Sequence, residues 1–235
     1  MKGWKKILQA NGQGKRAGVA ILVSDKLDFK TGAIKREPEG HFIILKGRIH
    51  QEDINIVKIY APNIGAPKYI KKILEDFKKD IESNTIIVGD FNTPLSKMDR
   101  SSRQNINKDI VSLNNTLHEV DFIVIYRTFH SQEAKYTFFT SVYGTFSKLD
   151  NMVGHKTSLN NFKKIEIISS IFSDHKRLKL ETNLNEKNPK HKKTWRLKSM
   201  LLNNGWLKNE IREEIKKFWK QTKMNSQQSK TYGTQ

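Results

Sequence analysis

"IIVGDFNTPLS", residues 86–96, is the stretch on which the reading of this chain turns. Ile86, Ile87 and Val88 run straight into Gly89; Asp90 and Asn92 then bracket Phe91, and Thr93-Pro94 closes the segment. A β-branched run bounded by glycine and proline has the character of a buried strand. A buried strand that ends in a carboxylate and a carboxamide is unusual, because neither group belongs in an apolar interior. On an extended chain, side chains two residues apart point to the same side, so Asp90 and Asn92 are expected to converge on one small object. The same residues are also the makings of an Asx turn ahead of Pro94.

On the N-terminal side, "RAGVAILVSD" (16–25), "HFIILKGRI" (41–49) and "INIVKIYAPN" (54–63) read as strands, the last stopped by Ala61-Pro62-Asn63. Ile70, Ile73, Leu74, Phe77 and Ile81 recur at helical spacing and predict an amphipathic helix over 69–83. Ile106, Ile110, Leu113, Leu117 and Val120 predict another over 107–120. Further strands are expected at 122–127, 135–141, 148–154, 164–170 and 177–182. Strands interleaved with helices define an α/β domain over 1–183, with a parallel or a mixed sheet both open. Beyond it the spacing predicts a basic linker at 184–204 and an amphipathic helix at 205–222. Residues 223–235 have no apolar period and are expected to be disordered.

Composition narrows the function classes. The chain has 235 residues, of which 36% are hydrophobic, enough for a real core. No run approaches the roughly 18 apolar residues of a membrane span, and "MKGWKKILQANGQGKRAG" carries no apolar segment of a secretion signal. Cysteine is absent, which excludes disulfides and thiolate zinc sites. A formal net charge of +19 favours polyanions, nucleic acid first, with RNA through the basic tail among the expected partners and a basic surface on an ordinary protein as the plain alternative. The expected location is therefore intracellular, in nucleus or cytoplasm, with no membrane partner.

Four places set polar residues at the ends of apolar strands: Tyr60, Asp90 with Asn92, Asp150, and Ser173-Asp174-His175. Each has a plain structural reading as well. Asp150 suits a turn, Ser173-Asp174 a cap, His175 a surface position and Tyr60 a half-buried aromatic. Together they match what metal-assisted phosphodiester cleavage needs: oxygen ligands for a hard cation, and an imidazolium positioned by a carboxylate to grip phosphate.

The ordered set "IYAPN" (59–63), "GDFNTP" (89–94), "YTFF" (136–139), "SKLDNMVG" (147–154) and "SDH" (173–175) resembles the endonuclease/exonuclease/phosphatase family. "KRAGVAILVSDK" (15–26), "GDFNTPLSKMDRSSRQNINKD" (89–109), "IYRTFH" (125–130) and "TWRL…LLNNGWLKNEI" (194–211) are similar to its branch of LINE-retrotransposon endonuclease domains. The resemblance implies a four-layer α/β sandwich of two mixed sheets with helices outside. It implies a Mg²⁺-dependent DNA endonuclease, with Mn²⁺ as the alternative ion. Asp90 would act on the attacking water or leaving oxygen, and Asn92 would orient that water or a phosphate oxygen. His175 would bind the scissile phosphate with Asp150 holding its tautomer, and Tyr60 would reach the phosphate through its hydroxyl. The metal set would be Asp90, Asn92, Asp174 and His175. The loop 140–147, with Ser141, Tyr143 and Ser147, would probe the minor groove of double-stranded DNA, beside Arg100 and Thr137.

The resemblance also implies that the family's first strands and its principal metal-binding glutamate have no counterpart here. The expectation is reduced cleavage with DNA binding retained. The competing readings are a non-catalytic nucleic-acid-binding protein and, more distantly, abasic-site repair or a phosphatase of the same fold.

Overall fold

The computed structural model describes residues 3–12, 17–79, 81–102, 106–171 and 173–183, together with Asn209, Arg212, Glu213 and Lys216. The chain divides into two compact units, Met1–Glu186 and Lys187–Gln235. In the second unit the four described residues are helical and exposed, and Lys216 donates to the Glu213 carboxylate at 2.8 Å. The linker expected at 184–204, the remainder of the helix expected at 205–222 and the tail 223–235 lie outside the described residues.

The first unit opens with an antiparallel hairpin, β1 (Trp4–Asn11) and β2 (Gly18–Ser24). Then come β3 (Phe29–Arg36), β4 (Phe42–Ile49) and β5 (Glu52–Tyr60), with β4 antiparallel to β3 and β5 antiparallel to β4. Helix α1 (Ala66–Asp76) carries the chain back to β6 (Thr85–Asp90), which lies parallel to β5. Helix α2 (Lys108–Glu119), β7 (Phe122–Val124), α3 (Ile125–Phe129), β8 (Phe138–Thr140), β9 (Thr145–Ser147) and β10 (Asp150–His155) follow. A last hairpin pairs β11 (Phe162–Ile168) with β12 (Arg177–Thr182). Six strands make the central sheet in the order β3-β4-β5-β6-β10-β7. Its one parallel pair, β5–β6, is the one joined through a helix, because a parallel return needs a crossover.

Strand β4 shows why this sheet is a middle layer. Phe42 and Ile44 join the core under α1 and α2, whereas Ile43 and Leu45 join the core under β1–β2. A strand buried on both faces reads as a continuous apolar run, as "FIILK" does. Helix α1 seals its face with Ala66, Ile70, Ile73 and Leu74, Pro67 sitting in its first turn where a missing N–H does no harm. Helix α2 is capped by Asn107, whose side-chain oxygen accepts the Ile110 N–H at 2.9 Å. On the opposite face, β1–β2 packs on β4 and β5, and β11–β12 closes a third core with Ile125, Tyr126, Phe162 and Ile165.

The protein is thus an α/β sandwich with a mixed central sheet and flanking helices. Its second strand layer consists, among the described residues, of two separate hairpins in place of one continuous mixed sheet. Two local expectations change, and two strands were not anticipated. Strand 122–127 stops at Val124, because Ile125 and Tyr126 bury themselves completely in the third core by turning into α3. The strand expected at 135–141 is paired only over Phe138–Thr140. Strands β1 and β3 were not legible, since lysines interrupt their apolar alternation and leave Leu8 and Ala10 as the buried residues of β1. Among the described residues no helix is long and apolar enough to cross a membrane.

Candidate active site

Three of the singled-out residues are lateral neighbours on three adjacent strands. In the parallel register Tyr60 at the end of β5 stands opposite Asp90 at the end of β6. In the antiparallel register Asp150, the first residue of β10, stands opposite Asp90 from the other side. Directly opposed residues on neighbouring strands bring their Cβ atoms to about 4.5–5.5 Å, so register alone gathers the three side chains. Gly89 permits the alignment: a Cβ there would lie 1.8 Å from the Ile59 carbonyl oxygen, so only glycine lets β6 approach β5 this closely.

His175 arrives from the segment between β11 and β12. Its backbone bridges to Phe138, its ring packs on that of Phe138 at 4.8 Å, and the Lys176 N–H donates to the Thr137 carbonyl at 2.7 Å. Ser173 accepts the His175 N–H at 3.1 Å, closing a short turn. The imidazole donates from Nδ1 to Asp150 Oδ2 at 2.8 Å, and its Nε2 lies 4.0 Å from Asp90 Oδ2. The hydrogen bond to Asp150 raises the His175 pKa above the usual histidine range, against the opposing effect of burial. Asp90 is raised too, chiefly because burial disfavours its charge; the Asn92 N–H pulls the other way.

Ligand atoms of Asp90, Asp150 and His175 lie within 4.8 Å of one another, close enough to hold a metal ion. Two carboxylates and an imidazole form a donor set suited to a divalent cation. The fit is incomplete, since Asp150 Oδ2 is already bonded to His175 and Asp90 Oδ1 to the Asn92 N–H.

Asn92 reaches its place differently from the expectation. β6 ends at Asp90, and Asn92 has a left-handed φ of 46°. Its N–H donates to Asp90 Oδ1 at 2.9 Å and its Nδ2 to the Ala61 carbonyl at 2.6 Å. An Asx turn, and not strand alternation, relates the two residues, and it leaves the amide oxygen of Asn92 as the acceptor still on offer. Asp174 is exposed and lies outside the trio, although its charge helps to raise the His175 pKa.

The residues expected to face DNA divide. Ser141 and Tyr143 sit in the exposed turn of the β8–β9 hairpin, with Tyr143 79% accessible. Phe139 and Phe146 pack at 4.6 Å to stiffen that hairpin. Arg100 bridges by backbone to Ser147 at its base. Thr137 is a correction: it is fully buried, and its hydroxyl accepts the backbone N–H groups of both Leu149 and Asp150 at 3.1 Å. It positions Asp150 from beneath and has no surface to offer a ligand.

Sequence reading missed two groups. Lys58, in the middle of "INIVKIY", lies on the same face of β5 as Tyr60 and is influenced by Asp150 and Asp90; a lone lysine in an apolar strand was the available signal. Asp99, Arg127 and Lys148 form a buried ionic cluster directly beside β10, assembled from segments too far apart in sequence to suggest one another.

Solved structures of similar architecture match 77% of the chain. No family model matches the sequence. The structure is similar to the endonuclease domain of TRAS1, a telomere-specific non-LTR retrotransposon, with a TM-score of 0.62 and 16% identity over 77% of this chain and 81% of that one. The chain has the endonuclease/exonuclease/phosphatase fold. The same fold relates it to a 3′ phosphatase from Neisseria bound to product DNA hairpin, at TM-score 0.60 and 16% identity over 77% and 80% of the two chains. An AP endonuclease from Archaeoglobus fulgidus superposes at TM-score 0.59 with 19% identity, again over 77% and 80%.

Proposed function

We propose that the chain is a metal-assisted DNA endonuclease of LINE-retrotransposon type that hydrolyses a phosphodiester at Asp90, Asp150 and His175. The observation that carries this reading is the Asp150–His175 hydrogen bond of 2.8 Å set beside the desolvated carboxylate of Asp90. A formal charge of +19 supplies the attraction to the phosphate backbone. The similarity to a retrotransposon endonuclease domain supports the choice of branch.

His175, whose imidazolium Asp150 favours, presents Nε2–H to a phosphate oxygen. Asp90, made more basic by burial, takes the proton of the attacking water. Asn92 orients that water with its amide oxygen, and Tyr60 donates its hydroxyl to the phosphate. Asp90 and Asp150 would hold a Mg²⁺ or Mn²⁺ ion, which when bound would neutralise charge developing on the phosphate. The exposed β8–β9 turn, with Ser141 and Tyr143, enters the minor groove, with Arg100 and Ser147 at its base.

One observation favours binding over turnover: Asp150 is committed to His175, and hard cations are held mostly by carboxylates. The enzyme is therefore slow. Nicking of supercoiled plasmid in Mg²⁺, beside a gel shift at matched salt, tests both readings. The expected result is a salt-sensitive shift with weak nicking that disappears with EDTA and in Asp90→Ala. Nicking that persists in either control would overturn the assignment, and a shift without any nicking would establish a DNA-binding protein instead.

A further inference from the structure

Alternate residues of β5 face opposite layers. Val57 and Ile59 enter the core under α1 and α2, while Ile54, Ile56 and Tyr60 belong to the opposite face, against the β1–β2 layer. Lys58 falls on this second face, where its neighbours in the strand are apolar or aromatic. The register puts Lys58 opposite Val88, one pair inward from Tyr60 and Asp90. The diagonal from Lys58 to Asp90 spans two residues across adjacent strands, a separation of about 7–8 Å. A four-carbon lysine stem covers most of that distance.

Lys58 is half-buried, and its ammonium makes no hydrogen bond or ion pair among the described residues. Leaving such a charge unpaired away from water is costly, so it must be balanced at longer range. The charges that do so are Asp150 and Asp90, which favour its charged form against the stronger opposing effect of burial. Lys58 therefore brings a positive charge to the two carboxylates before any metal enters.

We propose that Lys58 is a resident cation of the acidic cluster, competing with a divalent metal for Asp90 and Asp150 and setting the metal affinity of the site low. The inference rests on the reading of these carboxylates as metal ligands and adds a residue that governs them. A divalent ion entering a site that already holds a neighbouring positive charge meets repulsion that the low local dielectric does little to screen.

Mn²⁺ binding to the full chain without DNA, followed by the EPR signal of free Mn²⁺, reads this directly. Lys58→Met keeps most of the stem and removes the charge; Lys58→Gln removes the charge and keeps a polar end; Lys58→Arg keeps the charge. Melting curves identify folded variants, and either neutral variant suffices. The expected result is Mn²⁺ affinity raised about tenfold or more in the neutral variants and unchanged in Lys58→Arg, the gain disappearing when Asp90→Asn is added. Equal affinity in wild type and both neutral variants, no binding in any of them, or a gain that survives Asp90→Asn would each overturn the proposal. Because the readout is binding, failure of the nuclease reading alone would leave the Mn²⁺ shift intact.

Discussion

Asp99, Arg127 and Lys148 form one charged cluster of this fold, and Asp90, Asp150 and His175 form the other, with only Leu149 between Lys148 and Asp150 in the chain. Their surroundings differ. The side chains of Asp99 and Lys148 have no exposure at all. Asp99 accepts the N–H groups of Leu95 and Ser96 on one oxygen and the Arg127 guanidinium on the other. Lys148 is held between Asp99 and Asn151. Asp90 and Asp150, by contrast, are half-buried, and each retains acceptor capacity. Ionic groups that are saturated inside a protein secure its structure, whereas partly satisfied groups at a strand end are free to engage a ligand.

The sharpest way to break this comparison is to exchange the roles by mutation. Asp90→Asn is expected to lower nicking by about a hundredfold or more, the scale of losing a positioned acid–base group. Its melting temperature at neutral pH is expected to hold or rise. The Asp90 pKa is raised on folding, so its charge opposes folding above the ordinary aspartate range, and removing it relieves that cost. Asp99→Asn should do the reverse, destabilising the domain by about 3–5 kcal/mol in a denaturant titration, because Lys148 and Arg127 then lose their shared counter-charge. An Asp99→Asn protein of wild-type stability would sink the distinction.

A pH titration sharpens it. The His175 pKa is raised on folding, so its stabilising contribution is complete below the ordinary histidine value and is lost as pH climbs through the raised one. DNA affinity at fixed salt should decline over the same interval. In Asp150→Asn the ¹H NMR titration of His175, recorded in EDTA, should move to lower pH; an unmoved midpoint would show that Asp150 does not hold the imidazolium.

Smaller effects are expected around the site. Thr137→Val removes the acceptor of two backbone N–H groups and should cost about 1–3 kcal/mol, read by thermal melting. Tyr143→Ala, in an exposed turn, should leave stability within about 0.5 kcal/mol of wild type. Its effect should appear as a few-fold weaker gel shift.

Much of the site was legible before the fold. Tyr60, Asp90, Asp150 and His175 stood out because each interrupts or ends an apolar run, and a polar group at such a place needs a reason. Thr137 was misread, because a short hydroxyl residue looks alike in sequence whether it meets solvent or caps buried N–H groups. Strands β1 and β3 escaped because their lysines dilute the period-two signal.

The sequence by itself determined the α/β character, the strong positive charge and the polar residues at the strand ends of the candidate site. These follow from local periodicity and from composition, which need no partner to be read. Only the tertiary structure decided that Tyr60, Asp90 and Asp150 stand side by side, since strand register is a property of pairs. It also decided that Asn92 joins them through a turn, and that Lys58 shares the face of β5 that carries Tyr60. The separation of the two ionic clusters is tertiary for the same reason: saturation depends on neighbours drawn from distant segments, and no short stretch of chain records them.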